Sequence, residues 1–383
     1  MKIQSIQTYI IDARMKKNLV FVKVETDSGV IGWGEAYTQT NRDTSVTAHV
    51  EQLAHYLLGR SPFTIKHFMQ WAYDDFAAKR GGMDFWCAFS GIEQALWDIV
   101  GKTLNQPIYN LLGGPCRDRI RVYANGWSDD TKTPQEFADA ASAMVDRGFT
   151  ALKFDPFPGP WRLYIPKDVE QQAIETVRQV RNAVGPEIDL LVEVHRRLAP
   201  MHAIRVAHAI EEFDIYWFEE PCPAENIDAL AEVRAAVNIP IVAGETLYTK
   251  AAFREVFEKR AVDIINPDVC NTGGILETKE IAAMAEPSYV AVSPHNYNSV
   301  SIGLASTLQV SACIPNFPIT EYWVNIEPVS HEIARESFQV IDGYITVPES
   351  PGLGMSLDED QLVSNQQTKS TTKHIRQYQD EVP

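Results

Sequence analysis

Hydrophobic and polar residues change rhythm twice along the chain. Over residues 1–40 they alternate, in IQSIQTYII, FVKVETDSG and VIGWGEAY, with Asp27-Ser28-Gly29 as a turn, so the pattern predicts a small antiparallel sheet. From about Thr44 to Leu112 the spacing becomes helical, most clearly in FWCAFSGIEQALWDIVGKTL, which stops before Pro107 and Gly113-Gly114. The opening segment is therefore α+β.

After RVYAN, ending at Asn125, short apolar runs alternate with amphipathic stretches. Helix-spaced TPQEFADAASAMVDRG precedes FTALKFD, DVEQQAIETVRQVRNAVG precedes IDLLVEVH, and the same order repeats through IYWFEE, IPIVAGE, VDIINPD, YVAVSPH and ITEYW. Counting RVYAN, eight strands are predicted, and eight strands with intervening helices specify a closed β/α barrel with its chemistry at the C-terminal strand ends. One repeat is long and carries PFPGPWRLYIP, a Pro-rich excursion, from Pro156 to Pro166, expected over the barrel mouth. The segment FQVIDGYITVPESPGLGMSLDED has strand and turn chemistry unlike the barrel repeats and is expected to pack back on the N-terminal sheet. The polar SNQQTKSTTKHIRQYQDEVP that follows reads as a tail or as an arm to a neighbouring subunit. The predicted divisions are 1–120, 121–329 and 330–383.

The strand ends carry the chemistry. LLVEV, YWFEEP and IPIVAGE place Glu193, Glu219 and Glu245 at even intervals of 26 residues. Read in order, the ends give Lys153 and Asp155, Glu193 and His195, Glu219, Glu245, Asp268, His295 and Glu321. One acid there is a common solvated charge, whereas seven successive ionisable ends after apolar runs describe a site. Carboxylates without thiolates select a hard cation, Mg²⁺ before Ca²⁺ or Zn²⁺, with Mn²⁺ also suited. Glu220 points to the opposite strand face and is expected to be structural.

Bulk properties narrow the partners. With 383 residues, 45% of them hydrophobic, the chain can bury a large core. Its formal net charge of −17 argues against nucleic acid or an anionic membrane, although a bound cation would still admit a small anion. Cys87, Cys116, Cys222, Cys270 and Cys313 form no CxxC pair, so a reducing compartment without a disulfide framework is expected. Charge interrupts the apolar start, and no run approaches the ~20 apolar residues of a membrane span. A cytoplasmic protein is expected.

The acids, the WFEEP and AGE strand ends, INPDVCNTGG, SPH, and SGIEQALWDIVGKTLNQPIYNLLGG together resemble the enolase superfamily, in its mandelate racemase subgroup. The resemblance extends from the first sheet to GYITVPESPGLGM and implies a (β/α)₇β modified TIM barrel with an N-terminal α+β capping domain completed by the C-terminal segment. It implies removal of the proton beside a carboxylate, giving an enediolate, with Mg²⁺ as cofactor. Glu193, Glu219 and Glu245 match the metal ligands, Glu193 standing where the family most often has Asp. His295 and Asp268 match a histidine–aspartate base pair, and Glu321 matches an acid that must be protonated to bond the substrate carboxylate.

Where many relatives carry KxK, this chain has Lys153-Phe154-Asp155, which favours a one-base reaction. Lys153 would then neutralise the substrate carboxylate and Asp155 would bind a substrate hydroxyl. VEVHRRLAP resembles the acid-x-His-x-Arg arrangement of acid-sugar dehydratases such as galactonate and mannonate dehydratases. There the histidine, here His195, protonates the departing 3-hydroxyl, and Arg197 takes the motif's arginine place. The resemblance thus implies a Mg-dependent hydro-lyase acting on a small sugar acid to give a 2-keto-3-deoxy acid, in a homo-oligomer. A cycloisomerase, a racemase or epimerase using Asp155 as second base, and a non-catalytic scaffold remain open alternatives. Substrate choice is expected from Met15–Asn18, Tyr37–Asp43 and the Pro-rich excursion.

Overall fold

The computed structural model describes residues 1–15, 17–39, 41–76, 81–159, 162–367 and 377–378. Parts of the loops expected to choose substrate, at Lys16, Thr40, Pro160 and Trp161, and most of the expected tail lie outside the described residues.

Strands β1 (Ile3–Ile11), β2 (Leu19–Thr26) and β3 (Ile31–Ala36) form the antiparallel sheet expected from their alternation. Helices α1 (Asp43–Leu57), α2 (Ile65–Trp71), α3 (Met83–Leu104) and α4 (Ile108–Leu111) follow. The long α3 lies directly on β3 because Gly32 and Gly34 leave room; a methyl group at Gly34 would stand 1.8 Å from the Gly91 carbonyl oxygen, so alanine does not fit there. The polar residues of α3 tie this layer to the rest of the chain. Glu93 accepts the backbone N–H groups of Ile275 and Leu276 at 2.7 and 3.0 Å, and Asp98 those of Trp33 and Leu353 at 3.0 and 2.9 Å.

Among the described residues, eight strands then alternate with seven helices. They are β4 (Arg119–Asn125), α5 (Pro134–Asp146), β5 (Ala151–Phe154), α6 (Lys167–Val184), β6 (Asp189–Glu193), α7 (Pro200–Ile210), β7 (Ile215–Glu219), α8 (Ile227–Ala236), β8 (Ile241–Ala243), α9 (Thr249–Glu258), β9 (Ile264–Ile265), α10 (Gly274–Ala285), β10 (Ala291–Val292), α11 (Ile302–Cys313) and β11 (Thr320–Trp323). Local chemistry sets the helix starts. Thr133 caps α5 in a reciprocal capping box with Glu136 and Pro134 opens its first turn, while the Asn226 side chain caps α8. The strands pair in parallel from β4 through β10, and β11 pairs with β4. Hydrogen bonds from Val292 N–H to the Asn316 carbonyl (2.8 Å) and from Thr320 Oγ1 to the Pro294 carbonyl (2.6 Å) bring the curled sheet back on itself. This is the (β/α)₇β barrel that the resemblance implies.

The C-terminal segment returns to the first layer as expected: Gln367 N–H bonds the Ile10 carbonyl at 2.8 Å, and Lys23 and Glu359 pair at 2.6 Å. The extent of one helix and the partner of one strand were not read from the sequence. Helix α12 (Glu327–Ile333) crosses the expected division at residue 330, and β12 (Tyr344–Thr346) pairs antiparallel with β4; α13 (Glu359–Ser364) follows.

A two-residue period positions the site. Tyr123, Ala151, Leu191, Trp217, Val242, Ile264 and Ile319 form one apolar cluster drawn from seven successive stations around the barrel. Their neighbours Val122, Leu152, Val192, Phe218 and Ile265 belong to the larger cluster that includes the helices. Side chains two residues beyond the inner layer share its face, and these are Asn125, Lys153, Glu193, Glu219 and Glu321. The apolar layer floors a polar site.

Candidate active site

Glu193 and Glu219 are the last residues of β6 and β7 and stand side by side in the parallel register. Glu245 lies two residues past β8, beyond Gly244, whose φ of 143° redirects the chain at that point. One carboxylate oxygen from each of the three lies within 4.8 Å of the others, and all three side chains are buried. Trp217 Nε1 and Asn266 Nδ2 hold Glu219 at 2.8 and 3.0 Å, the backbone N–H groups of Val194 and His195 hold Glu193 at 3.0 and 2.7 Å, and Arg196 pairs with Glu245.

Lys153 Nζ lies between these acids, 2.8 Å from Glu219, 3.3 Å from Glu193 and 3.3 Å from Glu321. Burial works against its charge, but Glu219 and Glu321 outweigh burial and hold the ammonium protonated. Glu219 is nonetheless pushed up to about 8, first by burial and then by the neighbouring Glu193. Three converging buried carboxylates, with no thiolate or imidazole in the trio, fit a hard divalent cation.

His295 lies three residues beyond β10. Its Nδ1 faces Asp268 Oδ2 at 2.6 Å, and its Nε2 lies 3.2 Å from Glu245 and 3.6 Å from Glu321. Asp268 is fixed in turn by Cys270 N–H (2.7 Å) and Asn298 Nδ2 (2.9 Å). Burial would lower the imidazole, but Glu245, Glu321 and Asp268 together raise it to about 10. A cation shared with Glu245 would cancel the largest of these opposing influences. Glu245 itself is held well below the usual carboxylate range: burial opposes its charge, and Arg196 and His295 overcome burial.

The structure departs from the sequence reading at three places. Glu321, expected to be protonated, accepts Asn125 Nδ2 at 2.5 Å and Asn296 N–H at 2.7 Å; despite burial, Lys153 and His295 lower its pKa, so it stands as a carboxylate. Asp155, expected to bind a substrate hydroxyl, spends both oxygens on the protein, Oδ1 on Phe157 N–H (3.0 Å) and Oδ2 on His195 Nδ1 (2.7 Å) and Arg197. Arg197 is buried and also bonds the Val194 and Phe157 carbonyls at 2.7 and 3.2 Å, so it organises the loop rather than reaching outward.

Residues missed by the sequence reading are Asn125, Arg196, Trp217, Asn266 and Asn298. Asn125 and Trp217 share a strand face with site residues or lie one step along it, and Arg196 adjoins His195, so period and adjacency were available signals. Glu220 is buried, with Oε1 accepting Gly244 N–H at 2.8 Å, which is a structural position. No helix among the described residues is long and apolar enough to cross a membrane.

Two family models match the chain. One, for the mandelate racemase/muconate lactonizing enzyme N-terminal domain, covers residues 4–113, and one, for an enolase C-terminal domain-like unit, covers residues 136–361. The chain is 36% identical over 351 residues to a D-gluconate dehydratase of Thermoproteus tenax, covering 91% of this chain and 70% of that protein. It is 34% identical over 378 residues to a D-xylonate dehydratase of Haloferax volcanii, covering 94% and 87%. The crystal structure of an enolase superfamily member from Salmonella Typhimurium superimposes with a TM-score of 0.89 at 31% identity, covering 94% of this chain and 97% of that one. The chain belongs to the mandelate racemase/muconate lactonizing enzyme family of the enolase superfamily.

Proposed function

We propose that the protein is an acid-sugar dehydratase that removes the C2 proton of an aldonate and expels the 3-hydroxyl as water, giving a 2-keto-3-deoxy acid. The observation that carries this reading is the pairing of two histidines, each on its own aspartate, beside one triad of buried carboxylates. Kinship to a D-gluconate and a D-xylonate dehydratase supports the substrate class.

Glu193, Glu219 and Glu245 would hold Mg²⁺ or Mn²⁺, which supplies positive charge against the negative charge that develops on the substrate carboxylate. His295 Nε2 takes the C2 proton while Asp268 fixes the ring through Nδ1. Lys153 adds a second positive charge, and Glu321, as a carboxylate, orients Lys153 and Asn125 rather than donating a hydrogen bond. His195 gives a proton to the departing hydroxyl, and the enol then tautomerises to the ketone. Since Asp155 is engaged by His195 and Arg197, it is poorly placed as the second base of a racemase, which favours elimination.

Screening aldonic and aldaric acids for 2-keto acid formation tests the reading. Formation of an isomer without water loss would establish a cycloisomerase or epimerase instead. Chelation by EDTA is expected to lower turnover by more than about 10²-fold, since a catalytic cation supplies several kcal/mol. Added Mg²⁺ is expected to restore it, and activity that survives exhaustive chelation would remove the metal from the account.

A further inference from the structure

Two histidine–aspartate pairs in this barrel are built on one plan, although they come from different strands. In the first, Asp268 accepts the backbone N–H of the residue two positions on, Cys270, with Oδ1 and faces His295 Nδ1 with Oδ2. In the second, Asp155 accepts the N–H two positions on, Phe157, with Oδ1 at 3.0 Å and faces His195 Nδ1 with Oδ2 at 2.7 Å. Each aspartate is thereby locked by its own Asx turn, which leaves one oxygen aimed at an imidazole. Each also has a side-chain donor behind it, Asn298 in the first pair and Arg197 in the second.

We propose that Asp155 is the positioning residue for His195: it holds the imidazole through Nδ1 so that Nε2 delivers the proton to the leaving hydroxyl, with Arg197 anchoring the aspartate. This assignment deepens the dehydratase reading and rests on it. His195 needs such a restraint. Its side chain is 35% exposed on the loop after β6, where His195 and Arg196 both take left-handed backbone angles, φ 55° and 61°. Two adjacent non-glycine residues in that region are costly and persist where the surroundings impose them. The turn lets His195 N–H bond Glu193 at 2.7 Å while its ring bonds Asp155, so one residue ties a carboxylate of the triad to the acid.

Arg197 supplies the rigid backing. It is 4% exposed, bonds the Val194 and Phe157 carbonyls, and stacks its guanidinium over the Phe157 ring at 5.4 Å. Its position is thus fixed from both sides of Asp155. A lysine at position 155, as in the KxK pattern, would place a second cation against Arg197 and leave His195 Nδ1 without its acceptor. The departure from that pattern and the presence of His195 are parts of one arrangement.

Asp155→Asn tests the assignment. The amide keeps the size, but with its one oxygen on the Phe157 N–H it turns an NH₂ donor, in place of the acceptor Oδ2, toward Arg197 and Nδ1. Dehydration turnover is expected to fall by about 10²–10⁴-fold, with KM changed by less than about 3-fold. Exchange of the C2 proton in D₂O is expected to stay within about 3-fold of the unaltered enzyme, because His295 and Asp268 are untouched. Equal loss of exchange and dehydration, a raised KM at full turnover, or no loss would each overturn the proposal.

A second measurement needs no substrate. In the unaltered protein with ¹⁵N-labelled histidine, the His195 signal, identified by its absence in His195→Asn, is expected to show a proton held on Nδ1. An imidazole that interconverts between tautomers would overturn the assignment. If no sugar acid is dehydrated at all, the dehydratase reading fails, and the nitrogen spectrum still decides whether Asp155 fixes His195.

Discussion

Replacing His295 by asparagine is expected to lower dehydration by about 10³–10⁴-fold and to abolish solvent exchange of the substrate C2 proton to the same extent. The equality of the two losses is the informative part. His295 Nε2 is the imidazole nitrogen that faces Glu245 and Glu321 above the triad, while Nδ1 is committed to Asp268 at 2.6 Å. If this ring is the only base, no path to the enol survives its removal, so exchange and product formation must fall together. The asparagine amide can keep a hydrogen bond to Asp268, which limits disturbance of the buried network around Cys270 and Asn298. Retained exchange would assign the base elsewhere. Lys153, the amine among the triad carboxylates, is held as an ammonium against burial by Glu219 and Glu321.

Replacing His195 by asparagine is expected to separate the two events. Dehydration should fall by about 10²–10⁴-fold while C2 exchange continues, since proton donation to the leaving group is lost and the base is intact. The substrate would then cycle between acid and enol, taking up deuterium at C2 without losing water. Loss of both activities would place His195 in binding or in support of Glu193, whose carboxylate accepts the His195 N–H. Loss of neither would return it to the rim of the barrel.

The two outcomes together distinguish the roles of histidines that look alike in local geometry. They differ in surroundings: the His295 side chain is 6% exposed beneath the capping loops, with Tyr37 and Tyr297 rings 6.2 and 6.5 Å away, whereas His195 is on an open turn. A base that works on a carbon acid benefits from exclusion of water. An acid that releases water tolerates exposure.

The barrel was legible because apolar runs alternate with helix-spaced stretches, which builds a parallel sheet with helices, and because the run count reaches the eight strands that close it. The site was legible because strand side chains repeat with period two, so that an inner apolar residue such as Leu191 or Trp217 forecasts Glu193 or Glu219 above it. What failed to show depends on contacts between distant segments. Nothing near Asp155 announces that its carboxylate faces His195 rather than the substrate, because that requires the loop after β6 to turn through left-handed angles. Glu321 reads the same way in the sequence whether it is protonated or not; only Lys153, 3.3 Å away, and the two asparagines at its oxygens decide. The strand chemistry around β12 showed, but its pairing with β4 rather than with the N-terminal sheet did not, because three residues with one buried side chain do not specify a partner.

The most direct test of the account is the unaltered enzyme turning over a sugar acid in D₂O with Mg²⁺, followed by NMR of the product. Abstraction at C2 with loss of the 3-hydroxyl predicts a 2-keto-3-deoxy acid carrying one solvent deuterium at C3, formed only while the cation is present. A product that keeps all its oxygens, whether inverted at C2 or rearranged to an isomer, would contradict it.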